Sequence, residues 1–318
     1  MGVKYGCHKC VASFLRLLVK PRLHLDPKPD EVALIPARDA GRTITAHIYK
    51  PSIQGPTPVV INFCGSGFVL GTFGGDDEYC RFVADKANYT VIDVQYRLAP
   101  ENPFPAAFHD AEDVITWVRS QPERFDLSLL SLSGFSAGAN IALTVSSSSE
   151  LFLQAEGKNI FNSVISFYGP MDMSLPTPKK PQADPSNWIM RHIFPTFSHL
   201  CHKCLNMGRV DPTDPMLSPI LADPSTFPAN TLIITAAQDP FAIEAEKFSD
   251  KLNNTDGKYS ICRRMEDCAH GWDKEAVDGT PQCEAKMEAY ELAVAMLRRN
   301  AGAGENDSTV QDGRVDSF

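Results

Sequence analysis

Long hydrophobic runs are missing from this 318-residue sequence, and so is any excess of positive charge. No stretch reaches the roughly 18 to 20 uninterrupted apolar residues that cross a bilayer as a helix. Lysine and arginine number 30 against 39 aspartates and glutamates, which gives a net charge of −9. A field of this sign repels nucleic acid and anionic lipid. We therefore expect a soluble protein that binds neither nucleic acid nor a membrane.

Signals for export and for disulfides are also weak. The best candidate for a signal peptide, VASFLRLLV at 11–19, is interrupted by Arg16 and is not followed by a small-residue cleavage site. We interpret it as an amphipathic helix. The nine cysteines are an odd number, scattered through the chain, which favours reduced thiols and a cytoplasmic location.

The tetrapeptide CHKC occurs twice, at Cys7–Cys10 and at Cys201–Cys204. Four thiols with this spacing could bind zinc, but the two copies lie much further apart than the halves of a zinc ribbon. We favour coincidence and predict no metal site, with zinc as the alternative.

The composition is that of a folded protein, because 43% of the residues are apolar and 22% are charged. The exception is the tail at 301–318, which is rich in glycine, aspartate and serine and is predicted to be disordered. No internal repeat is present. We predict a single domain over residues 1–300.

Short β-branched runs alternate with helical patterns along the chain, as expected for a mainly parallel sheet with helices on both faces. Apolar residues between Ala107 and Val118 recur at helical spacing and predict one connecting helix. RTITAHIYK, at 42–50, alternates with period two and predicts an earlier antiparallel strand. The buried strands are predicted at 58–63, 90–96, 129–133, 163–167, 231–237 and 259–265.

Residues 171–228 interrupt this alternation with prolines, aromatics and a short helical stretch, NWIMRHIF. We interpret them as an insertion over the carboxyl edge of the sheet, where ligands of open α/β sheets bind.

The motif GFSAG, from Gly134 to Gly138, follows a predicted strand and precedes a helix-forming run. In G-x-S-x-G the serine lies at a strained strand-to-helix turn, and the small residues around it let the chain fold back tightly. This context predicts Ser136 as a nucleophile, with the N–H of Ala137 directed at a developing oxyanion. The alternative is a glycine-rich turn that carries an exposed serine.

A serine nucleophile needs a base and an acid that orients the base. Asp239 directly follows the strand at 231–237, and His270 follows the last predicted strand. The order Ser, Asp, His is that of α/β-hydrolases. Taken alone, Asp239 would be read as a helix N-cap and His270 as an ordinary loop histidine. Together with Ser136 they predict a catalytic triad.

A third element is INFCGSGFVLG at 61–71, where a buried strand ends in small residues whose amides can approach a ligand closely. With YRLAPENPFPAAFHDAEDVITWV at 96–118, DPMLSP from Asp214 and the HGW at 270–272, the chain resembles the hormone-sensitive-lipase-like branch of the α/β-hydrolases. This resemblance covers residues 30 to 300.

The resemblance implies an α/β-hydrolase fold with a helical cap from about 1–30 and 171–212, and a serine carboxylesterase that needs no cofactor. It assigns the oxyanion hole to Gly65, Ser66, Gly67 and Ala137. The family's loop reads HGGG, whereas Cys64 stands here for the histidine and Ser66 for the second glycine. These two changes leave the loop geometry and the catalytic rate open. The alternatives are that the enzyme has become specialised for one metabolite or that it has lost its activity.

The cap determines specificity in this family. Its apolar residues suit an apolar, aromatic substrate, or they merely bury the cap against the body. These residues are Phe14, Leu17, Leu18, Trp188, Ile189, Phe194 and Phe197.

The segment IPARDAGRTITAHIYKP is similar to that of fungal members that act in secondary metabolism, which suggests an acetyl ester such as versiconal hemiacetal acetate. The competing hypothesis is a non-hydrolytic relative, either a small-molecule receptor or a dehydratase or cyclase. The sequence leaves open whether the chain forms a homodimer.

Overall fold

The structure is a computed structural model that describes residues 2–19, 25–148 and 159–300. In this part of the chain, strands β1 to β8 form one sheet in the order β1-β2-β4-β3-β5-β6-β7-β8. Strand β2 pairs antiparallel with β1 and β4, and every other pairing is parallel. The strands are β1 (Glu31–Pro36), β2 (Thr43–Tyr49), β3 (Thr57–Phe63), β4 (Thr90–Val94), β5 (Phe125–Phe135), β6 (Ser163–Phe167), β7 (Asn230–Ala236) and β8 (Tyr259–Met265).

Helices cover both faces of the sheet. Alternate residues of one strand belong to different cores: Val59 and Ile61 pack on one face and Val60 on the other, as the two-residue period of a strand requires. The helices are α1 (Gly2–Val19), α2 (Asp77–Ala87), α3 (Ala106–Arg119), α4 (Ala137–Ser148), α5 (Trp188–His192), α6 (Phe194–Asn206), α7 (Ala242–Asn253), α8 (Trp272–Glu275) and α9 (Pro281–Asn300).

The predicted mainly parallel α/β architecture is confirmed, and so are the seven predicted strands. The run at 129–133 belongs to a longer strand, β5, and the run at 90–96 ends early at Val94. Strand β1 was missed. It lies at the edge of the sheet, where Val32 and Leu34 are 59% and 67% exposed, so its apolar residues point both inward and outward and give no clear alternation.

The insertion predicted at 171–228 contains α5 and α6, with short 3-10 helices on either side. Glu244 of α7 anchors its first residues, since its carboxylate accepts hydrogen bonds from the amides of Met171 and Asp172. Lys180 donates to the same carboxylate and to the carbonyl of Asp172. Burial raises the pKa of Glu244, whereas the Lys180 ammonium lowers it. One buried ion pair therefore fixes the insertion to the body of the protein.

Among the described glycines, the two in the turn from β5 into α4 are the most crowded. A Cβ at Gly138 would lie 1.9 Å from the carbonyl oxygen of Phe63, and a Cβ at Gly134 would lie 2.4 Å from the carbonyl carbon of Gly138. Helix α4 therefore approaches the end of β3 at a distance that only glycine permits. Between these two glycines, Ser136 adopts the left-handed conformation, with φ of 51°. The tight, strained turn predicted from GFSAG is confirmed.

We predict that Gly138→Ala lowers the free energy of unfolding by more than about 3 kcal/mol, because the new methyl group overlaps backbone that cannot move without separating α4 from the sheet. Gly71→Ala is the control, since no atom lies within 4 Å of a Cβ there. Urea denaturation of both variants tests this. Equal stabilities would show that the turn can relax.

Candidate active site

Ser136 lies where β5 ends, and its hydroxyl is directed at a histidine. Its amide donates to the carbonyl of Phe167 at 2.8 Å, which ties the turn to β6. Its Oγ lies 2.8 Å from Nε2 of His270. His270 lies in the loop between β8 and α8, and the following Gly271 has φ of 74°. That positive φ lets the loop reverse directly after the ring.

Asp239, which is fully buried after β7, completes this chain of hydrogen bonds. Its Oδ2 lies 2.5 Å from Nδ1 of His270, and its Oδ1 accepts the amide of Phe241 at 2.9 Å. Asp239 therefore does cap the turn that leads into α7, through Oδ1, as the simple interpretation expects, and its second oxygen holds the histidine. The structure thus brings all three sequence-predicted side chains together, with the geometry that a serine, a base and an orienting acid require.

The predicted oxyanion residues Gly65, Ser66, Gly67 and Ala137 line the same cavity as Ser136. In the described part of the chain, the amides of Gly65, Gly67 and Ala137 meet no hydrogen-bond acceptor. A Cβ at Gly65 would lie 3.2 Å from the carbonyl oxygen of Phe135, so the loop passes close beside the serine turn. These amides are available to a substrate oxygen.

Ser66 has a role that the sequence did not reveal. Its Oγ lies 2.7 Å from the hydroxyl of Tyr96 and accepts the amide of Phe68 at 2.9 Å. The Tyr96 hydroxyl is 2.6 Å from the carbonyl of Cys64. Because a phenol carries one proton, Tyr96 donates to Cys64 and accepts from Ser66. We call Cys64, Ser66 and Tyr96 the loop brace. It holds the loop where the family uses a histidine.

The cavity above Ser136 has a volume of about 170 Å³. Phe194 and Phe197 line it, as expected of the cap. The remaining cap expectation was wrong for Phe14, Leu17, Trp188 and Ile189, since each is more than half exposed and lies outside the lining. The side chain of Leu18 lies outside the described ones. Further apolar or aromatic lining comes from Phe68, Leu70, Tyr168, Pro170, Cys201, His202 and Phe241.

Tyr168 and Lys274 also line the cavity and were missed by sequence reasoning. Tyr168 directly follows β6 with φ of 40°, and its ring meets His270 edge-on with centroids 4.8 Å apart. Its hydroxyl donates to Asp273 at 2.6 Å. Lys274 lies 2.8 Å from both Asp273 and Asp76. The position of Tyr168 at a strand end was the available signal, because ligand-binding residues collect there.

The ion pairs of Lys274 with Asp76 and Asp273 continue into the core as a network of hydrogen bonds. The side-chain Nδ2 of Asn62 donates to Asp76 and to Asp93, at 2.9 Å each, and all three side chains are buried. Burial and the neighbouring Asp76 raise the pKa of Asp93 to about 7. Burial alone would lower the pKa of Lys274, but the carboxylates of Asp273 and Asp76 raise it well above its usual value. The lysine therefore stays charged.

The second CHKC segment lies in α6, where Cys201 and Cys204 are buried and form no disulfide with a described residue. Cys201 packs on the loop, because a Cβ at Gly67 would lie 3.3 Å from its Sγ. Cys10 is an exposed free thiol, and the side chain of Cys7 lies outside the described ones. Among the described side chains, no three histidine, cysteine or acidic groups are placed to bind a metal ion. The predicted tail at 301–318 also lies outside the described residues.

Of the helices described, none combines the length and the hydrophobicity needed to cross a membrane.

Residues 60–274 match a protein family described as having the alpha/beta hydrolase fold. This match spans more than half of the chain, so the chain belongs to the α/β-hydrolase family, in its hormone-sensitive-lipase-like group. The structure is similar to that of a hyperthermophilic esterase from the archaeon Pyrobaculum calidifontis, with a TM-score of 0.72, 27% identity and coverage of 94% of each chain.

Among curated relatives, the chain is 29% identical over 239 residues to the carboxylic ester hydrolase LipN of Mycobacterium tuberculosis, a match that covers 73% of this chain. It is 32% identical over 145 residues to a 3-O-acetylpapaveroxine carboxylesterase of Papaver somniferum, which covers 38% of this chain. The chain spans 60% of the length of the first relative and 43% of the second.

We predict that Asp93→Asn removes part of the pH dependence of stability. The pKa of Asp93 is raised in the folded protein to about 7 and lies near 3.9 in an unfolded chain. The folded state therefore holds the extra proton between these values, and stability falls as pH rises from about 4 to 7, by on the order of 1 kcal/mol per pH unit. Denaturation of both proteins at pH 5 and pH 8 measures the difference.

The free energy of unfolding of Asp93→Asn should exceed that of the parent at pH 8. The difference between the two proteins should be smaller at pH 5. Identical pH profiles would show that Asp93 is ionised in the folded state at both pH values.

Proposed function

We propose that this protein is a serine carboxylesterase that hydrolyses short acyl esters of small apolar alcohols. The observation that carries the proposal is the hydrogen-bond chain from Ser136 through His270 to Asp239, beside a cavity that is also lined by Gly65, Gly67 and Ala137, whose amides have no acceptor among the described residues. A receptor would need the cavity but not this chain of groups. The esterase names of the relatives support the same activity.

In the proposed first half-reaction, Ser136 Oγ attacks the ester carbonyl while Nε2 of His270 takes its proton. The carbonyl oxygen becomes an oxyanion, which the amides of Gly65, Ser66 or Gly67 and of Ala137 stabilise. Asp239 holds Nδ1 of the ring and so directs Nε2 at the serine. His270 then gives the proton to the departing alcohol, which leaves an acyl-enzyme.

In the second half-reaction, His270 removes a proton from water, and the hydroxide formed attacks the acyl carbonyl. The same amides stabilise the second oxyanion, and the serine leaves with the proton from His270. We propose no cofactor and no metal, because these side chains and amides supply the nucleophile, the proton transfers and the charge stabilisation.

The substrate proposal rests on the size and lining of the cavity. A volume of about 170 Å³ is close to that of engineered cavities that hold one benzene ring. Aromatic rings around it favour an apolar or aromatic ester. The Papaver relative is named for an acetyl ester, which supports a short acyl group. An acetylated intermediate of fungal secondary metabolism, such as versiconal hemiacetal acetate, has a body of several fused rings and would have to extend from this cavity toward the solvent.

We further propose that α1, α5 and α6 act as the cap of one domain that spans residues 1–300, in a cytoplasmic protein. Arg16 of α1 donates to the carbonyls of Val69 and Ala99 and pairs with Glu101. The carbonyl of Leu205, near the end of α6, accepts the amide of Phe104. Both helices are thus joined to the body beside the cavity.

We predict that Ser136→Ala reduces hydrolysis of p-nitrophenyl acetate to the background rate, because the proposed acyl-enzyme forms on its hydroxyl. Ser128→Ala, an exposed position at the other end of β5, is the control and should keep full activity. Initial rates of the three proteins decide this. Equal rates for the parent and Ser136→Ala would contradict the esterase proposal and favour a non-hydrolytic relative.

We predict that Tyr96→Phe lowers kcat about tenfold or more and leaves KM within a few-fold, because loss of the hydroxyl releases the loop brace and moves the oxyanion donors. Tyr89→Phe is the matched control: its hydroxyl also donates to a buried carbonyl, that of Leu297, away from the cavity. If both variants lose the same activity, the effect is general destabilisation and the brace does not position the loop.

A further inference from the structure

The polar groups that line the cavity are almost all engaged with other protein groups. Ser136 and His270 belong to the hydrogen-bond chain described above. Ser66 is held by Tyr96, and Lys274 is held by two carboxylates. These groups are not free to recognise the body of a substrate.

His202 of α6 is different. It lines the cavity, with its ring between Phe68 and Phe241, at centroid distances of 6.3 and 6.2 Å. Neither ring nitrogen makes a hydrogen bond to any group in the described part of the chain. A neutral imidazole has one donor and one acceptor nitrogen, so both functions are available inside an aromatic cavity.

The charge state of His202 defines what it can recognise. Burial lowers its pKa to about 3, and the nearby positive charge of Lys180 acts in the same direction. The ring is therefore neutral near pH 7 and attracts no anion by charge. Recognition must occur through hydrogen bonds.

We propose that His202 is a specificity-determining residue that selects esters whose apolar or aromatic body carries a hydroxyl group. A purely apolar substrate would displace water from the half-buried imidazole and leave it without a partner, which costs the desolvation free energy of its nitrogens. A hydroxyl pairs with either tautomer, because it both donates and accepts, whereas a ketone pairs only with the donor nitrogen. This inference rests on the proposed esterase function.

The test compares esters that differ only in this group. Hydroxyphenyl acetates and the corresponding methylphenyl acetates have nearly the same shape, and the ratio of their kcat/KM values is measured for the parent and for His202→Phe. The difference in intrinsic reactivity cancels when the two ratios are divided. For at least one ring isomer, we expect the ratio of kcat/KM for the hydroxyphenyl ester to that for the methylphenyl ester to fall about tenfold in His202→Phe.

Two further variants separate recognition from structure. His202→Gln keeps a neutral donor and acceptor and should retain much of the preference. His199→Phe changes the same residue type one turn earlier in α6, outside the lining of the cavity, and should leave the ratio unchanged. If His202→Phe does not fold, the ratio in His202→Leu replaces it.

The outcomes are distinct. Turnover that depends on Ser136, with the same hydroxyl-to-methyl ratio in the parent and in His202→Phe for every isomer, overturns this inference and leaves the esterase proposal intact. An equal loss of preference in His199→Phe would also overturn it, because the effect would then be a general change in the helix. Absence of hydrolysis of every ester by the parent overturns both proposals.

Discussion

The close approach of α4 to the end of β3 is the constraint on which the site depends. Gly138 lies against the carbonyl of Phe63 at a distance that excludes any side chain. This contact places Ala137 beside the loop that follows β3, and amides of both segments have no acceptor among the described residues. It also keeps Ser136 in a left-handed conformation that a free chain would avoid. The strain is stored where the proposed nucleophile must project.

The topology supplies the other groups. Strands β3, β5, β6, β7 and β8 lie side by side and parallel, so their carboxyl ends meet at one edge. The loop at residues 65–67, Ser136, Tyr168 and Asp239 each follow one of these strands, and His270 lies in the loop after the last. Beneath them, Lys274 with its two carboxylate partners forms a buried ionic layer that is almost fully hydrogen-bonded. The cavity above them is lined mostly by aromatic and apolar side chains, which strengthen each polar interaction in the site by lowering the local dielectric constant.

Much of this could be predicted from the sequence because the determinants are local. The GFSAG motif predicts its own turn. Ser136, Asp239 and His270 each follow a predicted buried strand, so the sequence also predicts that they lie at the same edge of the sheet. The loop brace could not be predicted, since Ser66 and Tyr96 meet only when β3 and β4 pair. The Glu244 anchor and the partners of Lys274 are likewise tertiary contacts between distant segments. The exposed cap residues were misjudged because an apolar side chain on a helix does not reveal which neighbour it faces.

The most direct test of this account is to identify the covalent intermediate. The parent protein is mixed with an acetyl ester, quenched in acid within the first turnovers and digested, and the acetylated peptide is located by mass spectrometry. We expect the acetyl group on Ser136 and expect more of it in a His270→Ala variant treated with a highly activated ester, because deacylation needs the base. Ester hydrolysis that proceeds with no acetyl group on Ser136, or with one on another residue, would contradict the account.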